Sequence, residues 1–205
     1  MIRAFGESAL LVETGTAERA QVLATAVRSS MADAIAAVPG LESLLVELDP
    51  SADLDSASRE LERLAGGIDA ATVDGRDLTI PVTYGGDAGP DLSEVARLCG
   101  MSEEEVIERH LASELRVLFL GFAPGFAYLG GLADELRLPR LATPRTRTPA
   151  GSVAIADTMS GIYPADLPGG WRVIGHTDVP LFDPRRDPPA LLAPGDRVRF
   201  ERVDR

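Results

Sequence analysis

The sequence contains no lysine: all 20 of its basic residues are arginine. This absence excludes a Walker-A lysine, a Schiff-base lysine and a lysine general base from any mechanism of this chain. Cysteine is almost absent as well. The single Cys99 excludes an intramolecular disulfide and a metal site built from several cysteines. We therefore predict no bound metal.

Long apolar runs are also missing. No run approaches the roughly 18–20 residues that cross a bilayer, and residues 1–8 lack the features of a signal peptide. We therefore expect a cytoplasmic protein without a membrane partner. The net charge of -12 argues against nucleic-acid binding. Residues 115–205 nevertheless hold 12 Arg against 10 acidic residues, so this half suits an anionic ligand better than residues 1–114, with 8 Arg against 22 acids.

The first part of the chain predicts a small α/β sandwich, which we assign to residues 1–76. Its elements are strands at 2–12 and 44–48, a long Ala-rich helix from the cap Thr16 to about Val38, and a helix that begins at Asp53 or Ser56. The Pro39-Gly40 pair would end the first helix. Gly66-Gly67 would end the second.

The remainder, residues 77–205, predicts a β-barrel domain. Thirteen of the 15 prolines lie from Pro81 onward, and short apolar strands alternate with Gly/Pro turns, which is typical of a closed or partly closed barrel. Two helices near 91–112 interrupt the strands, and Ser102 with Glu105 forms a capping-box pattern before the second of them. The predicted fold class is α+β.

One segment, Phe119–Gly131, concentrates four of the ten aromatic residues between glycines and a proline. It has two interpretations that local chemistry leaves open. It is either a loop that aromatic rings hold against a core, or the wall of a pocket in which glycines bring backbone N–H groups close to a ligand. In the second case we expect Phe119 to belong to the core.

A series of motifs in one order resembles the KipI/PxpB family, also described as the allophanate hydrolase subunit 1 type. The matching segments are residues 104–110, 120–131, 139–140, 143–145, 148–156, 161–164, 168–171 and 181–184. The resemblance implies a small N-terminal α/β domain followed by a cyclophilin-like β-barrel. It also implies a subunit of a bacterial ATP-dependent 5-oxoprolinase, inactive without its partner subunits.

In that family the subunit acts with a larger PxpC/KipA-type partner to phosphorylate 5-oxoproline, and a PxpA-type protein completes ring opening to glutamate. The resemblance therefore implies ATP as a co-substrate, shared with or bound by the partner. Two other functions remain open. One is a KipI-like inhibitor of a sensor histidine kinase, and the other is a subunit of an allophanate hydrolase-type amidolyase. Prolyl isomerisation would rest on fold analogy alone.

The candidate site residues follow from the matched motifs and their chemistry. We predict catalytic roles for His110 and Arg145, since an imidazole can transfer a proton and a guanidinium can bind a carboxylate or phosphoryl group. The predicted substrate-binding residues are Phe122, Phe126, Tyr128, Arg140, Ser152, Met159, Tyr163 and His176.

Two of these residues depart from the family pattern. Met159 stands where the family commonly has a glutamine, and His176 stands where it commonly has an arginine. Losing an amide and replacing a permanent cation with a titratable one would change ligand preference. The departures therefore concern the substrate more than the fold.

Overall fold

The computed structural model describes residues 1–68 and 75–204. The chain divides into two compact units, Met1–Asp74 and Gly75–Arg205. The sequence-based prediction divides the chain after residue 76.

The first unit is a four-stranded sheet with two helices. Its elements are β1 (Ile2–Ala4), β2 (Ala9–Glu13), α1 (Ala17–Ser30), β3 (Ala34–Pro39), β4 (Ser43–Leu48) and α2 (Leu54–Gly66). The strand order is β1-β2-β4-β3, and all neighbouring strands are antiparallel. Leu23 and Val27 of α1, Leu61 of α2 and Val46 of β4 share one buried cluster. The helices are therefore held to the sheet by apolar burial.

Two sequence predictions for this unit are wrong. The first helix ends at Ser30 rather than near Val38, and residues 34–39 form the edge strand β3. The high helix propensity of alanine is a weak preference, which pairing with β4 and burial of Ala37 override. Residues 2–12 form two paired strands rather than one, because the chain turns between them near Gly6, where φ is +71°.

The second helix begins as predicted. Asp53 is its N-cap, and the Asp53 carboxylate accepts a hydrogen bond from the Ser56 backbone N–H at 3.1 Å. Ala57 and Leu61 lie on its buried face.

The second unit contains the predicted barrel. Its elements are β5 (Asp77–Tyr84), α3 (Leu92–Cys99), α4 (Glu103–Ala112), β6 (Leu115–Leu120), β7 (Ala127–Gly130), a short 3₁₀ helix (Asp134–Leu136), β8 (Arg145–Thr148), β9 (Ser152–Ala156), β10 (Met159–Ile162), β11 (Leu167–Gly169), β12 (Arg172–His176) and β13 (Arg197–Arg202). Seven strands close in the order β10-β7-β6-β13-β5-β12-β9, and β10 also pairs with β9. The pair β13–β5 is parallel. Strands β8 and β11 form a separate two-stranded sheet.

The barrel is filled by side chains rather than by a channel. Fully buried apolar residues come from strands all around it, including Val82, Val117, Leu129, Ile155 and Ile174. Helices α3 and α4 add Val95 and Val106 to the same cluster. The capping box predicted before α4 is present, since Ser102 and Glu105 each accept a hydrogen bond from the other's backbone or side chain. Over the described residues, no helix is both long and apolar enough for a membrane span.

Candidate functional site

His110 lies inside the barrel unit with both of its ring nitrogens engaged. Its side chain is fully buried, with Nδ1 2.8 Å from the Tyr84 hydroxyl and Nε2 2.9 Å from the Ser160 hydroxyl. Ser160 donates its own proton to the Ala154 carbonyl at 3.3 Å. Ser160 therefore accepts from an Nε2–H group, and Nδ1 accepts from Tyr84. This chain of hydrogen bonds selects the neutral Nε2–H tautomer.

The surroundings of His110 keep it neutral. Burial lowers the pKa of His110 to about 3, and burial also raises the pKa of Tyr84. The imidazole stacks on Phe200, with ring centroids 4.8 Å apart. His110 is thus placed in the interior, and it lines neither of the two clefts described next. Its predicted catalytic role stays a prediction.

Three predicted residues, Arg145, Ser152 and His176, meet in a cleft of about 260 Å³. We call it the polar cleft. Its lining residues are Asp87, Ala88, Pro90, Arg145, Pro149, Ser152, Val173 and His176. The barrel strands position two of them, because Ser152 opens β9 and faces His176, the last residue of β12, in the strand register.

Arg145 is fixed by a residue that the sequence analysis did not assign to the site. The Asp91 carboxylate is buried and accepts from Arg145 Nη2 at 2.5 Å and from the Val173 backbone N–H at 2.7 Å. Asp91 stands at the N-cap position of α3 but makes no capping bond there. Arg145 Nη1 also donates to the Trp171 carbonyl at 3.4 Å. The guanidinium is therefore held in one orientation at the cleft.

Three of the four polar side chains that line the polar cleft, Arg145, Ser152 and His176, can donate hydrogen bonds. The Arg145 guanidinium and the Ser152 hydroxyl can both donate to an anionic oxygen. His176 is half-buried, and its Nε2 lies 3.2 Å from an Asp178 carboxylate oxygen. Asp87 adds one acceptor for a ligand N–H group. The arrangement suits a small ligand that has a carboxylate or a developing oxyanion and an N–H group.

Five other predicted residues line a second cleft, of about 280 Å³. We call it the aromatic cleft. Its lining residues are Phe122, Phe126, Tyr128, Arg140, Pro144, Tyr163, Pro168, Gly169, Gly170 and Trp171. The predicted site residues are therefore divided between two clefts. Trp171 lines the aromatic cleft, and Val173, two residues further on, lines the polar cleft.

A group of edge-to-face rings builds the aromatic cleft. Phe126 is almost fully buried at its centre, with ring centroids 5.0 Å from Tyr128, 5.4 Å from Tyr163 and 5.7 Å from Trp171. Phe119, expected in the core, is half-buried and stacks on Tyr128 at 4.4 Å. The aromatic segment thus supports a pocket wall and packs against a buried cluster, so both interpretations hold for different rings.

Met159 takes part in this packing rather than in either lining. It is buried in one cluster with Phe126, Tyr163 and Trp171. Tyr163 and His176 also line a third depression, of about 300 Å³. Across the part of the chain that the structure describes, no group of three or more His, Cys, Asp or Glu side chains is placed to hold a metal ion.

Comparisons with known proteins place this arrangement in a family. The family model described as the carboxyltransferase domain, subdomain C and D, matches residues 1–192. A 5-oxoprolinase subunit of Escherichia coli O157:H7 is 48% identical over 171 residues, which cover 83% of this chain and 78% of that protein.

Solved structures share the fold over the whole chain. A crystal structure of TTHA0988 has a TM-score of 0.83 and 39% identity, covering 100% of this chain and 40% of that one. The K. lactis urea amidolyase has a TM-score of 0.81 at 23% identity, covering 98% of this chain and 15% of that one, so it shows the fold alone. This chain thus spans two fifths of TTHA0988. On the family match over residues 1–192 and the 48% identity, the chain belongs to the KipI/PxpB family.

Proposed function

We propose that this chain is one subunit of an ATP-dependent 5-oxoprolinase and that it binds 5-oxoproline in the polar cleft. A larger PxpC/KipA-type partner would act with it in the phosphorylation, and a PxpA-type protein would complete ring opening to glutamate. The names of the curated relatives support this assignment. The observation that carries it is the Arg145 guanidinium, fixed by buried Asp91 and facing a cleft shared with Ser152 and His176.

The chemistry of 5-oxoproline matches that of the polar cleft. The molecule is small and carries a carboxylate, a lactam carbonyl and a lactam N–H. Arg145 binds the carboxylate, the Ser152 hydroxyl donates to the lactam oxygen, and Asp87 accepts from the lactam N–H. ATP supplies the phosphoryl group. When the lactam oxygen attacks the γ-phosphorus, the bond to ADP breaks and positive charge develops on the lactam nitrogen, which the Asp87 carboxylate stabilises through the N–H. Once the lactam oxygen is phosphorylated, the carbon of the stable amide carries a good leaving group.

The two histidines have different roles in this proposal. His176, where the family commonly has an arginine, offers an imidazole N–H donor beside Ser152. His110 has no substrate contact in this proposal. It connects α4 to β5 through Tyr84 and to β10 through Ser160. The likeness to urea amidolyase is one of fold and carries no activity to this chain.

The test is a reconstituted assay. The purified chain is mixed with its larger partner, the ring-opening protein, ATP and 5-oxoproline, and glutamate and ADP are measured. We expect turnover in the complete mixture and none when this chain is left out. Arg145→Gln should lower kcat/KM by about a hundredfold, because the variant loses a charge-assisted bond to the substrate.

The matched control is Arg147→Gln on the same strand. Arg147 pairs with Asp166 at an exposed position, so its loss should leave kcat/KM near the wild-type value. Circular dichroism must show that both variants are folded. The absence of glutamate in the complete mixture, or a wild-type rate in the folded Arg145→Gln variant, would contradict the proposal.

A further inference from the structure

The aromatic cleft differs in chemistry from the polar cleft, and we propose that it binds the purine base of a nucleotide, with Arg140 facing the phosphate groups. The inference rests on the proposed function only in taking ATP as the natural nucleotide. It assigns to this chain a nucleotide contact that the family resemblance leaves to the partner or to a shared site.

The lining of the aromatic cleft favours a ligand that has both a flat ring and a negatively charged group. Five of its ten lining residues are aromatic, and one, Arg140, is charged. Aromatic rings alone also attract cations, but a guanidinium at the same cleft repels them. No carboxylate belongs to the lining. A planar ring that stacks on aromatic faces and carries an anionic group satisfies both features.

The size of the cleft agrees with one ring system. Its volume of about 280 Å³ lies at the lower end of ligand pockets. A purine base fits such a volume. The Arg140 side chain is 59% exposed, so the charged part of the ligand would lie at the mouth, partly in solvent.

Arg140 is carried by a loop that hydrogen bonds fix on both sides. Within residues 138–141, the carbonyl of the first residue accepts from the Asp157 N–H at 2.7 Å, and the carbonyl of the second accepts from the buried Arg172 guanidinium. The N–H of the last residue donates to the Gly170 carbonyl at 2.7 Å. An exposed arginine on an immobilised backbone loses less entropy when it binds a phosphate.

A residue with a strained backbone, Phe122, lies at the same cleft. Among the described residues, Phe122 and Asp157 are the two non-glycine residues with positive φ, at 69° and 51°. Aspartate tolerates this region better than phenylalanine does. Phe122 lines the cleft, and Asp157 lies 3.9 Å from Arg140 Nε. Strained residues of this kind concentrate at ligand sites.

The Phe122 side chain at this strained position is also exposed. It is 58% exposed, although its ring meets Phe126 edge to face at 5.5 Å. A ring that is left largely in water gains little from burial. Stacking on a bound base would cover it. Phe122 therefore forms one side of the base site, with the Phe126, Tyr128 and Trp171 group as its floor.

The test uses Trp171, the one tryptophan of the chain, as an intrinsic probe. The ligands added are adenosine, AMP, inorganic triphosphate and 5-oxoproline, and Trp171 fluorescence is followed during each titration. A parallel titration of free tryptophan corrects for light absorption by the ligand. We expect saturable quenching by adenosine and AMP, with AMP tighter. Triphosphate and 5-oxoproline should leave Trp171 fluorescence unchanged.

Two variants measure the contributions of the Phe122 ring and the Arg140 charge separately. Phe122→Gly removes the ring and relieves the positive-φ strain, so it should weaken AMP binding about tenfold without loss of stability. Arg140→Gln should weaken AMP binding about fivefold and leave adenosine binding unchanged. The controls are Phe5→Ala, an exposed aromatic in the first unit, and Arg199→Gln, an exposed arginine on β13. Both should bind AMP like the wild type.

Several results would overturn the inference. They are the absence of saturable quenching by adenosine and AMP at millimolar concentration, quenching by 5-oxoproline instead, or wild-type affinity in both Phe122→Gly and Arg140→Gln. Turnover in the reconstituted assay without AMP binding would overturn this inference and leave the proposed function standing. Binding without turnover would support this inference and contradict the proposed function.

Discussion

Arg145 and Asp91 are 54 positions apart in the chain, yet Nη2 of the arginine lies 2.5 Å from Oδ1 of the aspartate. The other Asp91 oxygen accepts from the Val173 backbone N–H at 2.7 Å. One buried carboxylate thus connects the start of α3 with β8 and β12. The geometry of the polar cleft depends on Asp91, although Asp91 does not line that cleft.

Asp91→Asn tests this dependence. The amide keeps an acceptor for the Val173 N–H but loses the charge that faces Arg145. We expect the free energy of unfolding to fall by about 1–2 kcal/mol, measured by urea denaturation. In the reconstituted assay, KM for 5-oxoproline should rise about tenfold with a smaller change in kcat, because a misplaced guanidinium binds the carboxylate less well.

An exposed ion pair provides the control for this variant. Glu104 accepts from Arg202 at 2.7 Å, but both side chains are largely exposed. Glu104→Gln should therefore cost about 0.5 kcal/mol or less. Equal losses of unfolding free energy in Asp91→Asn and Glu104→Gln would contradict the anchoring role of Asp91.

The buried His110 makes stability depend on pH. Its folded-state pKa of about 3 lies below the ordinary value of 6.5, so the unfolded chain binds more protons between these two values. The contribution is complete above about pH 6.5 and is lost as pH falls towards 3, at up to about 1.4 kcal/mol per pH unit. His110→Gln removes the titration and keeps one hydrogen-bond donor and one acceptor at this position. Urea denaturation from pH 7 to pH 4.5 should show a shallower pH dependence for this variant.

Nuclear magnetic resonance of the imidazole groups checks the cause directly. The chain has two histidines, so His176→Gln leaves only the His110 signals. We expect these signals to show a neutral Nε2–H tautomer from pH 8 to pH 4.5. A His110 titration near pH 6.5 in the folded protein would rule out the buried neutral state.

Gly169 in β11 and Gly170 directly after it should differ sharply in how well they tolerate substitution by alanine. A Cβ added at Gly169 would overlap the buried Tyr163 hydroxyl, whereas one added at Gly170 would meet its neighbours at 3.7 Å. Gly169→Ala should therefore lower the free energy of unfolding by about 1–3 kcal/mol, since overpacking forces Tyr163 to move. Thermal unfolding followed by Trp171 fluorescence compares the two variants. Similar Tm values for Gly169→Ala and Gly170→Ala would contradict this packing.

Regular patterns in the sequence predicted much of the fold. The capping box at Ser102, the N-cap at Asp53 and the spaced apolar strands from Leu78 onward are local signals, and the structure contains each of them. The helix predicted to reach Val38 was wrong because alanine fits both states. Residues 34–39 form a strand because they pair with β4; the local pattern predicted β4 as a strand but not this pairing.

The site was less accessible to prediction. The motifs named Arg140 and Arg145 together, but the structure places them in different clefts. Asp91 lies at the start of the helices predicted near 91–112, and its role depends on strands β8 and β12 that follow more than 50 residues later. His110 was assigned from its motif position and its chemical type, while its position inside the barrel follows from tertiary packing.

The position of strand β13 affects how the barrel folds. This strand lies between β5 and β6, pairing in parallel with β5 from Arg197 to Arg202. Before β13 pairs with them, β5 and β6 each present an unpaired edge that a strand of another chain can join. The barrel therefore closes only when segments from the two ends of this unit meet, which makes folding slow by its topology. During synthesis, the nascent unit must pass through a stage with open edges, and that stage is where aggregation competes with folding.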